Sequence, residues 1–194
     1  MRLFHSARVF VRVWSWAFVF CAALDVFATP AQVILIRHAE KNQSGSHLSL
    51  KGRQRAAALV PTFLGAPYLL HFGPPVAIYL RKASTNAPAV RWAQTVINLA
   101  DELGIPIKGE YSKTDAAALV EEIMQSEEYE GKMVLVCWSH GGMPKLAELF
   151  GAKKAPKKWT KNVYDRFWIL TFSENGDVAF EDRPQKLLYG DSTR

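Results

Sequence analysis

After residue 30 the apolar residues fall into short blocks, separated by polar stretches that carry glycine or proline. Gln32 to Ile36 is apolar and β-rich, the mark of a strand buried on both faces. A polar loop, Asn42 to His47, follows it. Ser49 then suits the N-cap of a helix from Leu50 to Leu64. Pro74-Pro75 marks a loop, and Val76 to Leu80 reads as a second strand. Pro88 opens a helix that carries Arg91 in its first turn and ends at Leu103, with Gly104 at the position past the end that glycine favours. Ile105 to Lys108 is a short strand, and Asp115 to Gln125 a helix capped by Ser112 or Thr114. Met133 to Trp138 is the clearest buried strand, and Gly141-Gly142-Met143-Pro144 leads into a helix to Phe150. Phe167 to Phe172 and Val178 to Phe180 form a hairpin across Glu174-Asn175-Gly176-Asp177, with Asn-Gly as the turn signal. This alternation predicts one domain over residues 29–194. The expected architecture is a three-layer α/β/α sandwich whose mainly parallel sheet has an antiparallel C-terminal edge. Ligands of such sheets bind beyond the carboxyl ends of the strands.

Residues 1 to 28 follow a different pattern. Arg2, Arg8 and Arg12 precede or open an apolar run, Val13 to Leu24, and Val26-Phe27-Ala28 places small residues at −3 and −1 of a cleavage site. That is the order of a secretory signal peptide, and the run falls short of the roughly 20 residues that span a bilayer. An extracytoplasmic, periplasmic or secreted protein with no stable membrane span after cleavage is therefore expected. An uncleaved membrane anchor is the alternative. Cys21 lacks the small residue before it that lipidation wants.

Composition narrows the function. The 194 residues are 49% apolar and 22% charged, globular values. A net charge of +6 suits anionic ligands without the dense basic footprint of a nucleic-acid binder. Two cysteines exclude a disulfide scaffold and a four-cysteine zinc site. The run Lys153, Lys154, Lys157, Lys158 and Lys161 reads as a solvated loop, or else as a rim that attracts anions or a phospholipid surface.

The chemistry gathers at two strand ends. The first strand leads into Arg37-His38-Ala39-Glu40-Lys41, and the Met133 strand into Ser139-His140-Gly141-Gly142. Two histidines with Arg37 and Arg91 suit a phosphoryl group. Arginine grips it with a planar fork, and a neutral imidazole can attack phosphorus to give a phosphohistidine. Gly141 and Gly142 would let backbone N–H groups approach an oxyanion.

These residues resemble the signatures of the histidine phosphatase superfamily, the phosphoglycerate mutase-like family. Leu35-Ile36-Arg37-His38-Ala39-Glu40-Lys41 is similar to its R-H-[GA]-E element, and Leu48 to Ala56 to L-[TS]-x-x-G-x-x-[QR]-A. Arg91-Trp92-Ala93-Gln94-Thr95 resembles R-A-x-Q-T with tryptophan in place of alanine, and Val136 to Gly142 the strand that ends in the second histidine. The resemblance covers about residues 32 to 150. It implies that His38 is the phosphorylated nucleophile and that Arg37, Arg91 and His140 hold the phosphoryl oxygens, with Gly141 beside them. Glu40 would orient the pocket. The implied activity is metal-independent hydrolysis of a small anionic phosphomonoester, without cofactor. A cell-envelope sugar phosphate suits an exported enzyme, and phosphohistidine in a protein suits a small open domain.

The sequence also departs from that pattern. Ala87-Pro88 stands where the family often has Ser-Pro, with Ser84 nearby. The proton-donating glutamate of larger members has no clear equivalent, which leaves Asp115 and Glu110 as candidates, and residue 142 is glycine. A mutase would need inserted segments for a second phosphate, so hydrolysis is favoured at this length. Other readings fit less well. Cys137-Trp138-Ser139-His140-Gly141 nearly matches G-x-S-x-G, but no histidine follows His140. His38, His47, His71 and His140 show no metal-ligand spacing. A non-catalytic phospholigand-binding module on the same fold is the alternative function, and Arg81 is the alternative clamp to Arg91.

Overall fold

The computed structural model describes residues 29–83 and 90–193. The leader segment 1–28, Ser84 and Ala87-Pro88 lie outside the described residues.

The first strand, β1 (Gln32–Arg37), is buried at every position, as is β4 (Met133–Trp138). Between them in sequence come α1 (Leu50–Gly65), β2 (Pro75–Leu80), α2 (Arg91–Leu103), β3 (Ile107–Lys108) and α3 (Ala116–Gln125). After β4 follow α4 (Met143–Leu149), β5 (Arg166–Phe172) and β6 (Val178–Pro184). The six strands form one sheet in the order β3-β2-β4-β1-β5-β6. Strands β1 to β4 pair in parallel, and β5 and β6 are antiparallel. This is the expected three-layer sandwich.

The period-2 side-chain alternation of β1 separates two cores. Val33 and Leu35 pack with Leu119, Ile123 and Leu146 of α3 and α4. Ile34 and Ile36 pack with Leu59, Phe63, Val96 and Leu99 of α1 and α2. A central strand buried on both faces can carry no polar side chain without a partner, which is why β1 and β4 read as unbroken apolar runs.

Boundaries differ where backbone chemistry overrides pattern. β3 begins at Ile107 because Pro106 has no N–H to pair and the Ile105 N–H closes α2 on Ala100 O at 3.1 Å. β6 runs past Phe180 to Pro184, in register with all of β5. Its polar second half is held at the edge by Arg166–Asp182 and Arg183–Glu181 ion pairs, both 2.6 Å, and charges at an edge strand also discourage pairing with other chains. Asp115 is not yet α-helical. It ends a single 3-10 turn, Lys113–Asp115, capped by Ser112, and α3 starts at Ala116. Among the described residues no helix is long and apolar enough to cross a membrane.

One contact fixes α1 beneath the loop that leaves β1. Ser49 caps the helix by accepting from Gly52 N at 3.1 Å, and Ser49 N donates to Glu40 O at 2.9 Å. A Cβ on Gly52 would lie 2.1 Å from that same Glu40 oxygen. Gly52→Ala should therefore force helix and loop apart and cost about 1–3 kcal/mol, as overpacking typically does. Urea denaturation would read this as a lower midpoint, whereas an unchanged midpoint would show that the contact relaxes freely.

Candidate active site at the carboxyl edge of the sheet

β1 ends in Arg37, and the ladder continues one rung further, because His38 N donates to Trp138 O at 3.3 Å. His38 thus leaves the sheet from a position set by the backbone. Its side chain is 3% exposed. Nδ1 lies 2.7 Å from the carbonyl oxygen of Ala39. A carbonyl only accepts, so in the neutral ring Nδ1 carries the proton and Nε2 keeps its lone pair. Trp92 and Tyr164 close around the imidazole, each with its ring centre 5.8 Å away.

Gln94 and Thr95 of α2 hold the two loops that shape this edge. Thr95 Oγ1 accepts from Ala39 N at 2.9 Å and donates to Arg91 O at 2.7 Å. Gln94 Oε1 accepts from Leu48 N at 3.0 Å. These contacts press the first turn of α2, with Arg91, against the exit of β1.

Three positive or donor groups then surround His38. Desolvation lowers its pKa to about 3, against the Ala39 hydrogen bond, and the charges of Arg37, Arg91 and His140 push the same way. His140, two residues beyond β4, is itself held below the usual histidine range by burial first, then by Arg37, Lys161 and Lys113. Both imidazoles are neutral at pH 7. Burial also lowers Arg37 and Arg91, which remain cations. The structure thus brings together His38, Arg37, Arg91 and His140.

The site has a wall with no signature in the sequence, the segment Trp159 to Tyr164. Trp159 is buried against Trp168, with ring centres 4.8 Å apart, and donates from Nε1 to Val163 O at 2.9 Å. Val163 O also accepts from Arg37 Nη1 at 3.0 Å, and so does Lys161 O. The Arg37 guanidinium stacks on Tyr164 at 3.8 Å. Lys153, Lys154, Lys157, Lys158 and Lys161 are exposed on the loop that builds this wall.

Donors here outnumber acceptors. Nε of Arg37, Arg81 and Arg91 and Nε1 of Trp92 are buried with no hydrogen-bond partner among the described residues. Such orphans are rare in folded proteins and suit an anion that brings several acceptor oxygens. Among the described residues no group of three His, Cys, Asp or Glu side chains is placed to hold a metal ion.

Other sequence candidates have other occupations. Asp115 is fully exposed, and its carboxylate accepts from Ser112 N at 2.9 Å in a capping box. The hydrogen bonds from Ser112 lower its pKa, whereas a general acid needs a raised one. Glu110 is exposed on the strand-to-turn connection. Gly142 donates its N–H to Ser139 O at 2.8 Å, so that group is not free for an oxyanion. Glycine stands there because a Cβ would lie 2.6 Å from the Trp138 indole nitrogen. Gly141 is exposed, with open space around it. Cys137 is fully buried, and burial pushes its thiol up.

Glu40 is held by Arg55, the residue at the [QR] position of the Leu48 to Ala56 element, whose partners the sequence does not reveal. Arg55 of α1 is 2% exposed and meets Glu40 with two bonds, 2.8 and 2.9 Å. It meets Asp191 of the C-terminal tail with two more, 2.7 and 2.8 Å, and Gln185 at 3.0 Å. Burial alone would lower the Arg55 pKa, but hydrogen bonds to Asp191 and Glu40 outweigh it and raise the pKa.

Solved structures share this architecture. The protein histidine phosphatase SixA, solved with tungstate, is 19% identical with a TM-score of 0.54, covering 79% of this chain and 97% of that one. A mycobacterial glucosyl-3-phosphoglycerate phosphatase is 13% identical with a TM-score of 0.50, again covering 79% and 97%. The α-ribazole phosphatase from Shigella flexneri is 10% identical with a TM-score of 0.53, covering 79% and 96%. At these identities the likeness carries the fold, and the chain folds as these phosphatases do. No family model matches the chain, and no curated protein matches it.

Two predictions follow the geometry. Arg55→Ala would leave the Glu40 and Asp191 carboxylates without their cation, and breaking a buried pair in this way costs about 3–5 kcal/mol. Chemical denaturation checks it. For His38, the folded pKa lies below the unfolded one. The unfolded chain therefore binds more protons between pH 6.5 and about 3, and His38 withdraws stability as pH falls through that window. His38→Ala should flatten the acid limb of a stability–pH curve by up to about 1.4 kcal/mol per pH unit. Superimposable curves for the two proteins would mean that His38 titrates normally.

Proposed function

We propose that the protein is a phosphomonoester hydrolase that works through a phosphohistidine on His38. The observation that carries this reading is the state of that side chain. It is neutral, its Nδ1–H is engaged by Ala39 O, and the guanidiniums of Arg37 and Arg91, each with an Nε unpaired among the described residues, lie near enough to act on it electrostatically. A buried histidine kept only for packing gains nothing from three positive or donor neighbours.

In the proposed reaction Nε2 attacks phosphorus in line with the ester oxygen. The N–P bond forms as the P–O bond breaks, and the departing oxygen leaves as the alcohol after taking a proton from solvent, which the water of the second step returns. Water then attacks the phosphohistidine, which returns phosphate and the free imidazole. Arg37 and Arg91 neutralise the charge spread over the equatorial oxygens, and neutral His140 donates one N–H to them. Arg37 is anchored through Nη1 on two carbonyls, which leaves its buried Nε as the donor for the phosphoryl group. Lys113 and Lys161 add a positive rim that draws anions in. The phosphatase activities of the three solved structures favour the same reading.

A phosphate-release screen over phosphomonoesters, run with and without a chelator, tests it. Activity should survive the chelator and vanish in His38→Ala. Arg91→Lys should lower the rate about 100- to 1,000-fold, because lysine keeps the charge and loses the two-point grip. The phosphoenzyme should be labile to acid quenching, since phosphohistidine is acid-labile. Phosphate binding without release would leave a phospholigand-binding module, and an acid-stable adduct on Ser139 would transfer the role to a serine nucleophile.

A further inference from the structure

The proposed reaction engages Arg37, Arg91 and His140, and leaves the half-buried Arg81 unexplained. Arg81 is the first residue beyond β2, and its N–H donates to Cys137 O at 3.2 Å, so it leaves the sheet at the same carboxyl edge as the histidines. In the sheet β2 and β1 flank β4 on opposite sides. The backbone of Arg81 is therefore two strand spacings from that of His38, roughly 10 Å along the edge. Its guanidinium packs on the Trp92 indole with Cζ 5.0 Å from the ring centre, and Arg91 packs on the same indole at the same distance.

Neither guanidinium forms an ion pair with a described carboxylate. Among the described residues Nε of each is buried without a partner, as is Nε1 of Trp92, a residue only 3% exposed. Two arginines held on one ring repel each other unless an anion lies with them. Burial lowers Arg91, Tyr164 opposes this, and the charge of Arg81 adds to the lowering. The charges that press most on His38 are Arg37, Arg91 and His140. Arg91 thus looks both ways, toward the nucleophile and toward Arg81.

We propose that Arg81 forms a second anion subsite beside the phosphoryl site, so that the preferred substrates are phosphomonoesters carrying a further anionic group, a carboxylate or a second phosphate, on the leaving alcohol. This rests on the phosphatase reading above and adds the substrate class to it. The cation–π contact with Trp92 positions Arg81 without neutralising it, and a neutral leaving group would leave its buried Nε unpaired. Tryptophan at residue 92, where the resembled motif has alanine, supplies the shared surface for both cations.

Non-hydrolysable ligands separate the subsite from turnover. Binding of carboxyalkylphosphonates with spacers of two to four carbons would be compared by calorimetry with the matched alkylphosphonates, on the full chain. At one spacer length at least, the carboxylate should tighten binding by about 10-fold or more, as one charge-assisted hydrogen bond supplies. Arg81→Gln should abolish that gain, and Arg81→Lys should keep part of it. The proposal is overturned by equal affinities for both ligand series, by a gain that survives Arg81→Gln, or by equal weakening of both series, which would place Arg81 on the phosphoryl group itself. Absence of phosphate release from every phosphomonoester, with the carboxylate gain intact, would remove the phosphatase reading and leave the subsite standing.

Discussion

A single buried guanidinium sets the geometry on which the site depends. Arg55 joins the loop after His38, the body of α1 and the tail beyond β6 through Glu40, Asp191 and Gln185. Burying such a group costs several kcal/mol, which only well-placed partners offset. Four of its bonds run to carboxylate oxygens in paired, fork-like fashion, and Gln185 supplies a fifth. Asp191 in turn accepts from Leu187 N and Leu188 N at 2.9 and 3.1 Å, so the tail folds around the same centre. The clamp also disposes of an acid that would otherwise sit two residues from His38. With both oxygens of Glu40 bonded to Arg55, that carboxylate is turned away from ion pairing with Arg37 or Arg91.

That disposal matters because the cations of the site must stay unneutralised while the protein is empty of ligand. The fold manages this with aromatic faces. Arg37 lies on Tyr164, and Arg81 and Arg91 lie on Trp92. A ring face attracts a cation weakly, by about 0.5–2 kcal/mol, and offers no hydrogen-bond acceptor to displace. The same two rings flank His38 and strip water from it, which keeps it neutral. Desolvation thus serves opposite groups in compatible ways. It keeps the imidazole neutral, as the proposed attack requires, and it strengthens the pull of arginines too basic to lose their charge.

Elements buried on both faces were legible in the sequence because their composition has little freedom. β1 and β4 lie where the apolar runs lie, and α1 begins behind Ser49 as its capping chemistry requires. Arg37, His38 and His140 stand at or just beyond the ends of such strands and Arg91 opens α2, so the sequence could place these four candidates at one edge. What stayed hidden depends on distant partners or on backbone atoms. Arg55 reaches residues 130 and 136 positions away, and no local pattern encodes that. The Lys161 and Val163 carbonyls that anchor Arg37 belong to residues whose side chains say nothing of the role. The second half of β6 is polar because an edge strand faces solvent, so hydrophobic alternation stops before the strand does. Asp115 carried an ambiguous signal, since a carboxylate at a helix start suits capping and acid catalysis alike. Gly142 looked like an open oxyanion donor, and its N–H proved to be spent within the turn.

His38 and the arginines near it are held by different kinds of force. His38 is placed by backbone bonds on both sides, its own N–H to Trp138 O and the Ala39 N–H to Thr95. Its ring is pinned by a third bond, to Ala39 O. In the proposed reaction such a group has little freedom to miss the phosphorus, and a near-attack geometry is worth far more than any single contact. Arg81 and Arg91, in contrast, are long side chains resting on a ring. In the proposed reaction Arg91 can follow the oxygens as the phosphoryl group moves from a tetrahedral ester toward a planar transition state, and Arg81 can adjust to the second anion. In that reaction a rigid imidazole would fix the axis of displacement and a yielding Arg91 guanidinium would track the charge.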